Sequence, residues 1–201
     1  FINFNNEKDI QKIDKKTAAV ILETIQGGAG FIEPQNQYLK KIKNQCDKVG
    51  ALLILDEIQP GFGRTGKMFG FENYEVYPDI LVMGKALGGG LPIGAFSSSK
   101  IHMRKLEDDP KLGHITTFGG NPVIAASALA TIREIEKSGV IKKVKEKEAL
   151  FRKCLNHPKI KRIQGTGLML APIFENSEIP NFLVNHCLKK GLLLFWLLWE
   201  K

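Results

Sequence analysis

The sequence predicts an α/β protein built around a mainly parallel sheet, and three observations support this fold class. Short apolar segments of β-like composition alternate with segments of helical spacing along most of the chain. The apolar segments lack a polar/apolar alternation, which is typical of strands covered on both faces of a parallel sheet. The composition, 43% hydrophobic and 25% charged, is that of an ordinary globular protein.

The individual elements follow from local patterns. Between the first two predicted strands, residues 38–50 have helical spacing and end on Gly50, a common helix stop. Asn121 and Pro122 fit the N-cap and first position of a long helix that ends at 138–139. The predicted strands are AAVILETI at 18–25, ALLILDEI at 51–58, DILVMG at 79–84 and, as a fourth candidate, PIGAFSSS at 92–99.

The pattern of elements changes after the long helix, and this predicts a domain boundary near Glu136. Residues 1–136 then form part of a large domain that includes the long interdomain helix, and residues 137–201 form part of a smaller domain. In the second part we predict a helix, a strand at 163–173, a helix at 178–190 and a strand at 191–199. Because the last predicted strand runs directly into Glu200 and no methionine opens the chain, we expect a piece of a longer polypeptide.

Composition narrows the class of protein. The sequence shows no basic-then-apolar leader, and its longest apolar run, LLLFWLLW at 192–199, is shorter than the ~20 residues that a membrane-spanning helix needs. The three cysteines, Cys46, Cys154 and Cys187, are scattered and are interpreted as buried thiols of a reducing compartment. We therefore expect a cytoplasmic protein that does not interact with membranes. Neither the cysteines nor the four histidines have metal-ligand spacing, so no metal is predicted.

The net charge of +8 raises nucleic acid as a partner, but the pattern of the charges favours another interpretation. Most of the excess lies in the lysine-rich stretch at 136–162, where Val140, Val144, Phe151 and Cys154 recur at near-helical spacing. The lysines then lie mostly on the opposite, solvated face of a helix. Because aromatic residues are not interleaved with the basic ones, no nucleic-acid partner is predicted.

Two chemically active side chains stand where predicted strands end. Asp56 follows the apolar run LLIL, and Lys85 follows ILVMG. Ligands of open α/β sheets bind outside the carboxyl ends of the strands, so these strands present a carboxylate and an amine at the same edge. Taken alone, Asp56 also fits a turn or a helix cap, and Lys85 also fits an ordinary surface position.

The surroundings of Lys85 limit what its amine can do. A phosphate-binding P-loop is excluded because that motif needs glycine and Ser or Thr at the positions of Asp79 and Ala86. A lysine at the end of an apolar strand is expected to be desolvated, which frees its lone pair for covalent chemistry. Pyridoxal phosphate uses a lysine for its aldehyde and a carboxylate for its ring nitrogen, and Lys85 and Asp56 supply both.

Four segments, in the right order and covering nearly the whole chain, resemble class III pyridoxal-phosphate-dependent aminotransferases. They are AAVILETIQGGAGF, LLILDEIQPGFGRTGKMFGFE, PDILVMGKALGGGLPIGA and HITTFGGNPVIAASA. The similarity is to the acetylornithine, ornithine, 4-aminobutyrate and ω-amino acid group, and RIQGTGLML at 162–170 resembles the first strand of its small domain. The resemblance implies the fold-type I architecture: the mainly parallel sheet of the large domain plus part of a small α+β C-terminal domain.

The resemblance also implies roles for five residues. Lys85 matches the lysine that forms the Schiff base with pyridoxal 5'-phosphate, and Asp56 matches the carboxylate that keeps the ring nitrogen protonated. Gln59 matches the amide bonded to the phenolic oxygen, and Ile58 the apolar residue against the ring face. Thr117 matches the threonine that reaches the phosphate of the neighbouring subunit's cofactor, which implies a homodimer with shared active sites.

The implied activity is transamination between an amino donor, an α- or ω-amino acid or amine, and a 2-oxo acid such as 2-oxoglutarate or pyruvate. Gly28 stands where ornithine- and 4-aminobutyrate-type members carry a glutamate, so the donor stays open. The family's N-terminal half, with its main phosphate-binding loop, and its later arginine for the substrate carboxylate have no counterpart here. Three alternatives remain at this stage: an aminomutase, a decarboxylase of the same fold, or an inactive truncated module.

Overall fold

The structure is a computed structural model that describes residues 1–108 and 114–195. The described residues form two sheets and five α-helices. The first sheet contains β1 (Ala19–Glu23), β2 (Leu52–Asp56), β3 (Ile80–Gly84) and β4 (Gly94–Ser98), in that spatial order, and the second pairs β5 (Arg162–Thr166) with β6 (Met169–Ile173). The helices are α1 (Tyr38–Val49), α2 (Lys100–Asp108), α3 (Pro122–Ser138), α4 (Val144–Cys154) and α5 (Glu178–Lys189).

The main core lies between α1 and the first sheet. The helix buries Tyr38, Leu39, Ile42 and Cys46 at the spacing of one helical face, and these side chains share a hydrophobic cluster with residues of β1 and β2. The helix ends at Gly50, whose φ of 82° lets its N–H reach the carbonyl of the last helical turn. The core therefore fixes β1 and β2 side by side, and the predicted helix at 38–50 is confirmed.

The register of the first sheet brings three strand ends to one edge. The strands β1, β2 and β3 run parallel, with Glu23 opposite Asp56 and Asp56 opposite Val82. The fourth strand, predicted without a direction, is antiparallel to β3 and places Gly94 opposite Gly84. The short connection at 85–93 explains this, because a parallel return needs a crossover of a dozen or more residues. The predicted mainly parallel sheet is confirmed.

The second half of the chain departs from its predicted strands. The single strand predicted at 163–173 is wrong, because the structure has the β5–β6 hairpin. Gly167, with a φ of 61°, lies in the turn, and Gly165, with a φ of 98°, lies in β5, where an added Cβ would collide with the carbonyl oxygen of Met169. The strand predicted at 191–199 is absent over the described residues 191–195, and the rest of it lies outside the described residues. The predicted helix at 178–190 is confirmed as α5, and α2 was not anticipated.

The lysine-rich stretch at 136–162 is mostly helical as far as Cys154 and not helical beyond it, and its apolar side chains are not all buried. Val144 is buried, whereas Val140, Phe151 and Cys154 are exposed. The prediction of three buried thiols is likewise wrong, because Cys46 alone among them is buried. Burial raises the pKa of the Cys46 thiol to about 11. Among the residues that the structure describes, no helix is long and apolar enough to cross a membrane.

Candidate active site

Asp56 is the last residue of β2 and lies at the edge of the sheet where β1, β2 and β3 end. Its side chain is half-buried, and its Oδ1 accepts the backbone N–H of Ile58 at 2.9 Å. This bond is the turn role that the sequence left open. It occupies one oxygen, and within the described part of the chain Oδ2 accepts no hydrogen bond. Asp56 can therefore both shape the turn after β2 and bind a cationic group.

Lys85 follows β3 directly and has a strained backbone. It begins a short 3₁₀ helix, Lys85–Gly88, with a φ of 44°, a left-handed conformation that side chains other than glycine rarely adopt. Such strain is concentrated at functional sites, where the surrounding structure maintains it. The expectation that Lys85 is desolvated is wrong for this chain, because its side chain is exposed. Its ammonium forms no salt bridge with any described residue.

Ile58 packs against the strand end that carries Lys85. A Cβ placed on Gly84 would lie 3.4 Å and 3.5 Å from the two γ-carbons of Ile58, which is ordinary van der Waals contact. The same Cβ would lie 3.2 Å from the carbonyl oxygen of Ile93, which is tight. Glycine at position 84 therefore lets Ile58 and the connection to β4 approach the backbone immediately before the lysine.

Gln59 lies over the first turn after β1. A Cβ added to Gly27 would coincide with the Gln59 amide oxygen and lie 2.7 Å from the amide carbon, so any other residue here would displace the Gln59 side chain. The N–H of Gly27 donates to Oε2 of Glu23 at 2.8 Å. Glu23 was missed by the sequence analysis, although it ends β1 opposite Asp56. The segment ETIQGG, a carboxylate at a strand end followed by glycines, was the available signal.

A second carboxylate, Glu57, was also missed and lies wholly buried beside Asp56. Its oxygens accept the hydroxyl of Thr24 at 2.5 Å and the N–H groups of Gly70 and Phe71 at 2.7 Å and 2.9 Å. Burial raises the pKa of Glu57 above its ordinary value, against these hydrogen bonds, which favour the charged form. Glu57 thus links the ends of β1 and β2 to the loop at 69–71.

The glycine run after Lys85 docks on α3. The hydroxyl of Ser127 donates to the carbonyl of Gly88 at 2.8 Å, and a Cβ on Gly89 would collide with the hydroxyl of Thr131. Gly89 has a φ of 59°, which also favours glycine. Gly89 therefore approaches a helix of this chain closely. The contact holds the chain that follows Lys85.

Thr117 lies apart from the other four predicted site residues. It is exposed in the turn at 114–120 that precedes α3, and no hydrogen bond of the described residues joins it to them. The structure therefore brings together Lys85, Asp56, Ile58 and Gln59 at one edge of the sheet and leaves Thr117 facing outward. Cavities of about 370 and 210 Å³ lie elsewhere, and none of the predicted site residues lines them.

The chemistry of this edge fits pyridoxal 5'-phosphate. Among the described residues, the amine of Lys85 forms no salt bridge and one oxygen of Asp56 accepts no hydrogen bond, which suits the aldehyde and the ring nitrogen of the cofactor. The amide of Gln59 suits its phenolic oxygen, and the aliphatic side chain of Ile58 suits its ring face.

The fold and the edge define an α/β protein whose mainly parallel sheet presents a lysine and a carboxylate at the carboxyl ends of adjacent strands. The chain belongs to the class III aminotransferase family, because the model of that family, "Aminotransferase class-III", matches residues 3–196. This confirms the predicted family.

Individual relatives carry related names. The chain is 40% identical to an acetylornithine aminotransferase of Caldanaerobacter subterraneus, with 92% of this chain and 47% of the relative covered. It is 43% identical to a putrescine aminotransferase of Pectobacterium atrosepticum, with 92% and 41% covered. The chain thus spans about half the length of the curated relatives it matches.

Solved structures agree with the fold. An ornithine aminotransferase from Toxoplasma gondii, which holds PLP at partial occupancy in its active site, matches with a TM-score of 0.89 and 33% identity over 98% of this chain and 48% of that one. An N-acetylornithine aminotransferase from Stenotrophomonas maltophilia matches with a TM-score of 0.81 and 32% identity, covering 96% and 52%. The predicted fold-type I class and the family's dependence on pyridoxal phosphate are confirmed.

Proposed function

We propose that the protein containing this chain is a pyridoxal-phosphate-dependent aminotransferase. The observation that carries the proposal is the convergence of Lys85, Asp56, Ile58 and Gln59 on one edge of the sheet, in a backbone that is strained at the lysine itself. Family membership supports the same conclusion. When bound, pyridoxal phosphate supplies an electron-withdrawing ring that stabilises negative charge at a substrate carbon.

Each of the four residues has a defined task. Nζ of Lys85 would hold the cofactor through its aldehyde and would carry a proton to or from the substrate carbon. Oδ2 of Asp56 would accept a hydrogen bond from the protonated ring nitrogen, and its negative charge would keep that nitrogen protonated. The Gln59 amide donates to the phenolic oxygen, and Ile58 packs on the ring and excludes water from one face.

We also propose a homodimer with two composite sites, in which Thr117 of each subunit binds the phosphate of the partner's cofactor. The exposure of Thr117 in the turn before α3 fits a residue that serves another subunit. Within each subunit, the predicted division near Glu136 lies in the last turn of α3, and it stays a prediction. So do the cytoplasmic location and the absence of metal, membrane and nucleic-acid partners.

Thr117→Ala tests the composite site in the full-length protein. Loss of one hydrogen bond to a charged phosphate should raise the dissociation constant of the cofactor about tenfold, while sedimentation still shows a dimer. Lys100→Ala, on an exposed helical position, is the matched control and should leave the constant unchanged. A complete protein that is monomeric and binds cofactor normally would contradict this assignment.

The substrates are proposed by class only: an α- or ω-amino acid or an amine as donor, and a 2-oxo acid such as 2-oxoglutarate or pyruvate as acceptor. The relatives are named for different donors, so their names do not identify the donor of this protein. Gly28 stands where ornithine-type members carry a glutamate, so this position does not identify the donor either.

A panel of donors tested with 2-oxoglutarate and pyruvate decides the reaction of the full-length protein. If the reaction is transamination, the donor should lose its amino group only when an acceptor is present. One molecule of acceptor should be aminated for each molecule of donor that loses its amino group. Release of carbon dioxide, or migration of the amino group within one substrate without an acceptor, would indicate a decarboxylase or an aminomutase instead.

A further inference from the structure

The turn between β1 and α1 forms a small closed loop at residues 26–32, here called the Gly27 loop. Gln26 and Ile32 exchange both backbone hydrogen bonds across its base, at 3.0 and 3.2 Å. Inside the loop, the N–H of Gly30 donates to the carbonyl of Gly27 at 3.1 Å. Three backbone hydrogen bonds therefore tie the loop together, and Gly27 is the part of it that lies beneath the Gln59 amide.

The far side of the Gly27 loop is held by the β5–β6 hairpin. Nε2 of Gln164 donates to the carbonyl of Gly30 at 2.6 Å, across 134 residues of sequence. The next residue, Gly165, approaches Phe31 so closely that an added Cβ would lie 3.0 Å from the Cβ of Phe31. The loop thus lies between Gln59 on one side and Gln164 on the other.

The hairpin is itself held firmly at this point. The guanidinium of Arg152 on α4 donates to the carbonyls of Ile163 and Gly165, which flank Gln164 in the strand. Glu148 pairs with Arg152 at 2.8 Å and accepts the N–H of Gly167 at 2.8 Å. These bonds fix the backbone on both sides of Gln164, so its amide is directed at the loop by a rigid support.

We propose that Gln164 is a positioning residue. By binding the carbonyl of Gly30, it fixes the position of the Gly27 loop and, through Gly27, the position of the Gln59 amide at the cofactor. The link from Gln164 to the loop stands on the contacts alone, whereas the role of Gln59 at the cofactor rests on the proposed function. Because the Gln59 amide occupies the space of a Cβ on Gly27, a small shift of the loop changes this contact directly.

Amide hydrogen exchange of the full-length protein tests the mechanical link. Gln164→Met keeps the length of the side chain but removes the donor, so the amides at 26–32 should exchange about fivefold faster, as expected for loss of one hydrogen bond. Gln45→Met is a matched control, because Gln45 also donates from Nε2 to a loop carbonyl at 2.6 Å, that of Ile13, remote from the site. It should leave exchange at 26–32 unchanged.

Spectroscopy of the bound cofactor tests the positioning role. With pyridoxal phosphate bound, Gln164→Met should shift the visible absorption maximum in the same direction as Gln59→Ala, and Gln45→Met should not shift it. A merely structural role would lower stability without moving the band. If Gln164→Met fails to fold, Gln164→Asn, which is one methylene too short to reach Gly30, should show the same changes.

Each outcome has a definite reading. Faster exchange at 26–32 together with a shifted band supports the proposal. Unchanged exchange overturns the link, and faster exchange with an unshifted band overturns the positioning role. If the unmodified protein shows no cofactor band at all, the proposed function fails and the role at the cofactor fails with it. The exchange rates still decide whether Gln164 holds the loop.

Discussion

Asp56 and Glu57 are adjacent carboxylates in two very different regions of the molecule. Glu57 is wholly buried and each of its oxygens is hydrogen-bonded, to Thr24, Gly70 and Phe71. Asp56 is half-buried at the open edge of the sheet, and one bond to the turn is the single described contact of its carboxylate. Successive residues of an extended chain point to opposite sides, so one step along the sequence separates the two regions.

The number of hydrogen bonds that the protein itself makes to each carboxylate distinguishes a structural carboxylate from a functional one. A buried carboxylate that is left unpaired is very costly, so Glu57 is saturated by the protein itself and contributes to stability. Asp56 keeps an unused acceptor where a ligand can reach it, and a group of this kind is suited to binding and catalysis. The same contrast separates Lys85 from lysines such as Lys43, which pairs with Asp47 and Asp79.

The largest effect is expected at the open edge, from Lys85→Ala. Without the amine there is no group to bond the cofactor or move the substrate proton, so steady-state transamination should fall to the background rate. Lys67→Ala, another exposed lysine, is the control and should retain activity. Turnover near the unmodified level in Lys85→Ala would refute the assignment.

Asp56→Asn should show the second-largest effect on turnover. The amide keeps the shape of the side chain but removes the charge that keeps the ring cationic, so the turnover rate should fall by about 10²- to 10³-fold. The free energy of unfolding should change by less than about 1 kcal/mol, because this region is not a packed core. Turnover assays and denaturant unfolding measure both, and a fast variant would show that Asp56 is no part of the site.

Gly27→Ala should have an intermediate effect through Gln59. The added Cβ would collide with the Gln59 amide and displace it, so turnover should fall about tenfold. Gly94→Ala is the matched control, because an added Cβ there meets nothing within 4 Å. If both variants retained full turnover, the contact between Gly27 and Gln59 would have no catalytic consequence.

Of these variants, Glu57→Gln should change turnover least, and it should lower the free energy of unfolding. One amide NH₂ would face a backbone N–H of Gly70 or Phe71 in a buried site, so the free energy of unfolding should drop by about 2 kcal/mol. Denaturant unfolding of the full-length protein measures this. A variant as stable as the unmodified protein, but slow, would place Glu57 in the functional region and break the contrast with Asp56.

The smallest effect should be the pH dependence that Glu57 gives to the free energy of unfolding. Because burial raises the pKa of Glu57 above its ordinary value of 4.5, the folded state binds the proton more tightly than the unfolded state does. The stability from this group is therefore fully present below pH 4.5 and is lost as the pH rises through the raised pKa. Comparing the pH profile of unfolding with that of Glu57→Gln isolates the contribution, and parallel profiles would contradict it.

The sequence was sufficient to predict the strands that carry the site, because buried parallel strands have an unmistakable composition and the chemistry follows their ends. Asp56 and Lys85 were found in this way, and β1 to β3 position them as predicted. The direction of β4 was not predicted, because composition alone does not distinguish a hairpin return from a crossover.

Most of the contacts that were missed join distant parts of the chain, and the bond from Gly27 to Glu23 is the local exception. Glu57 binds groups 13, 14 and 33 residues away, and Gln164 binds Gly30 across 134 residues. No local pattern encodes such partners. The exposure of Lys85 was missed for a related reason, because a strand end is only as buried as the elements that cover it.

The central claim is that the edge around Lys85 and Asp56 holds the cofactor. Peptide mass spectrometry after borohydride reduction of the full-length protein with pyridoxal phosphate tests it most directly, because reduction fixes a lysine-bound cofactor permanently. We expect one adduct per chain, on the peptide that contains Lys85, and a reduced yield in Asp56→Asn. An adduct on a different lysine, or none at Lys85 while the protein turns over substrate, would contradict it.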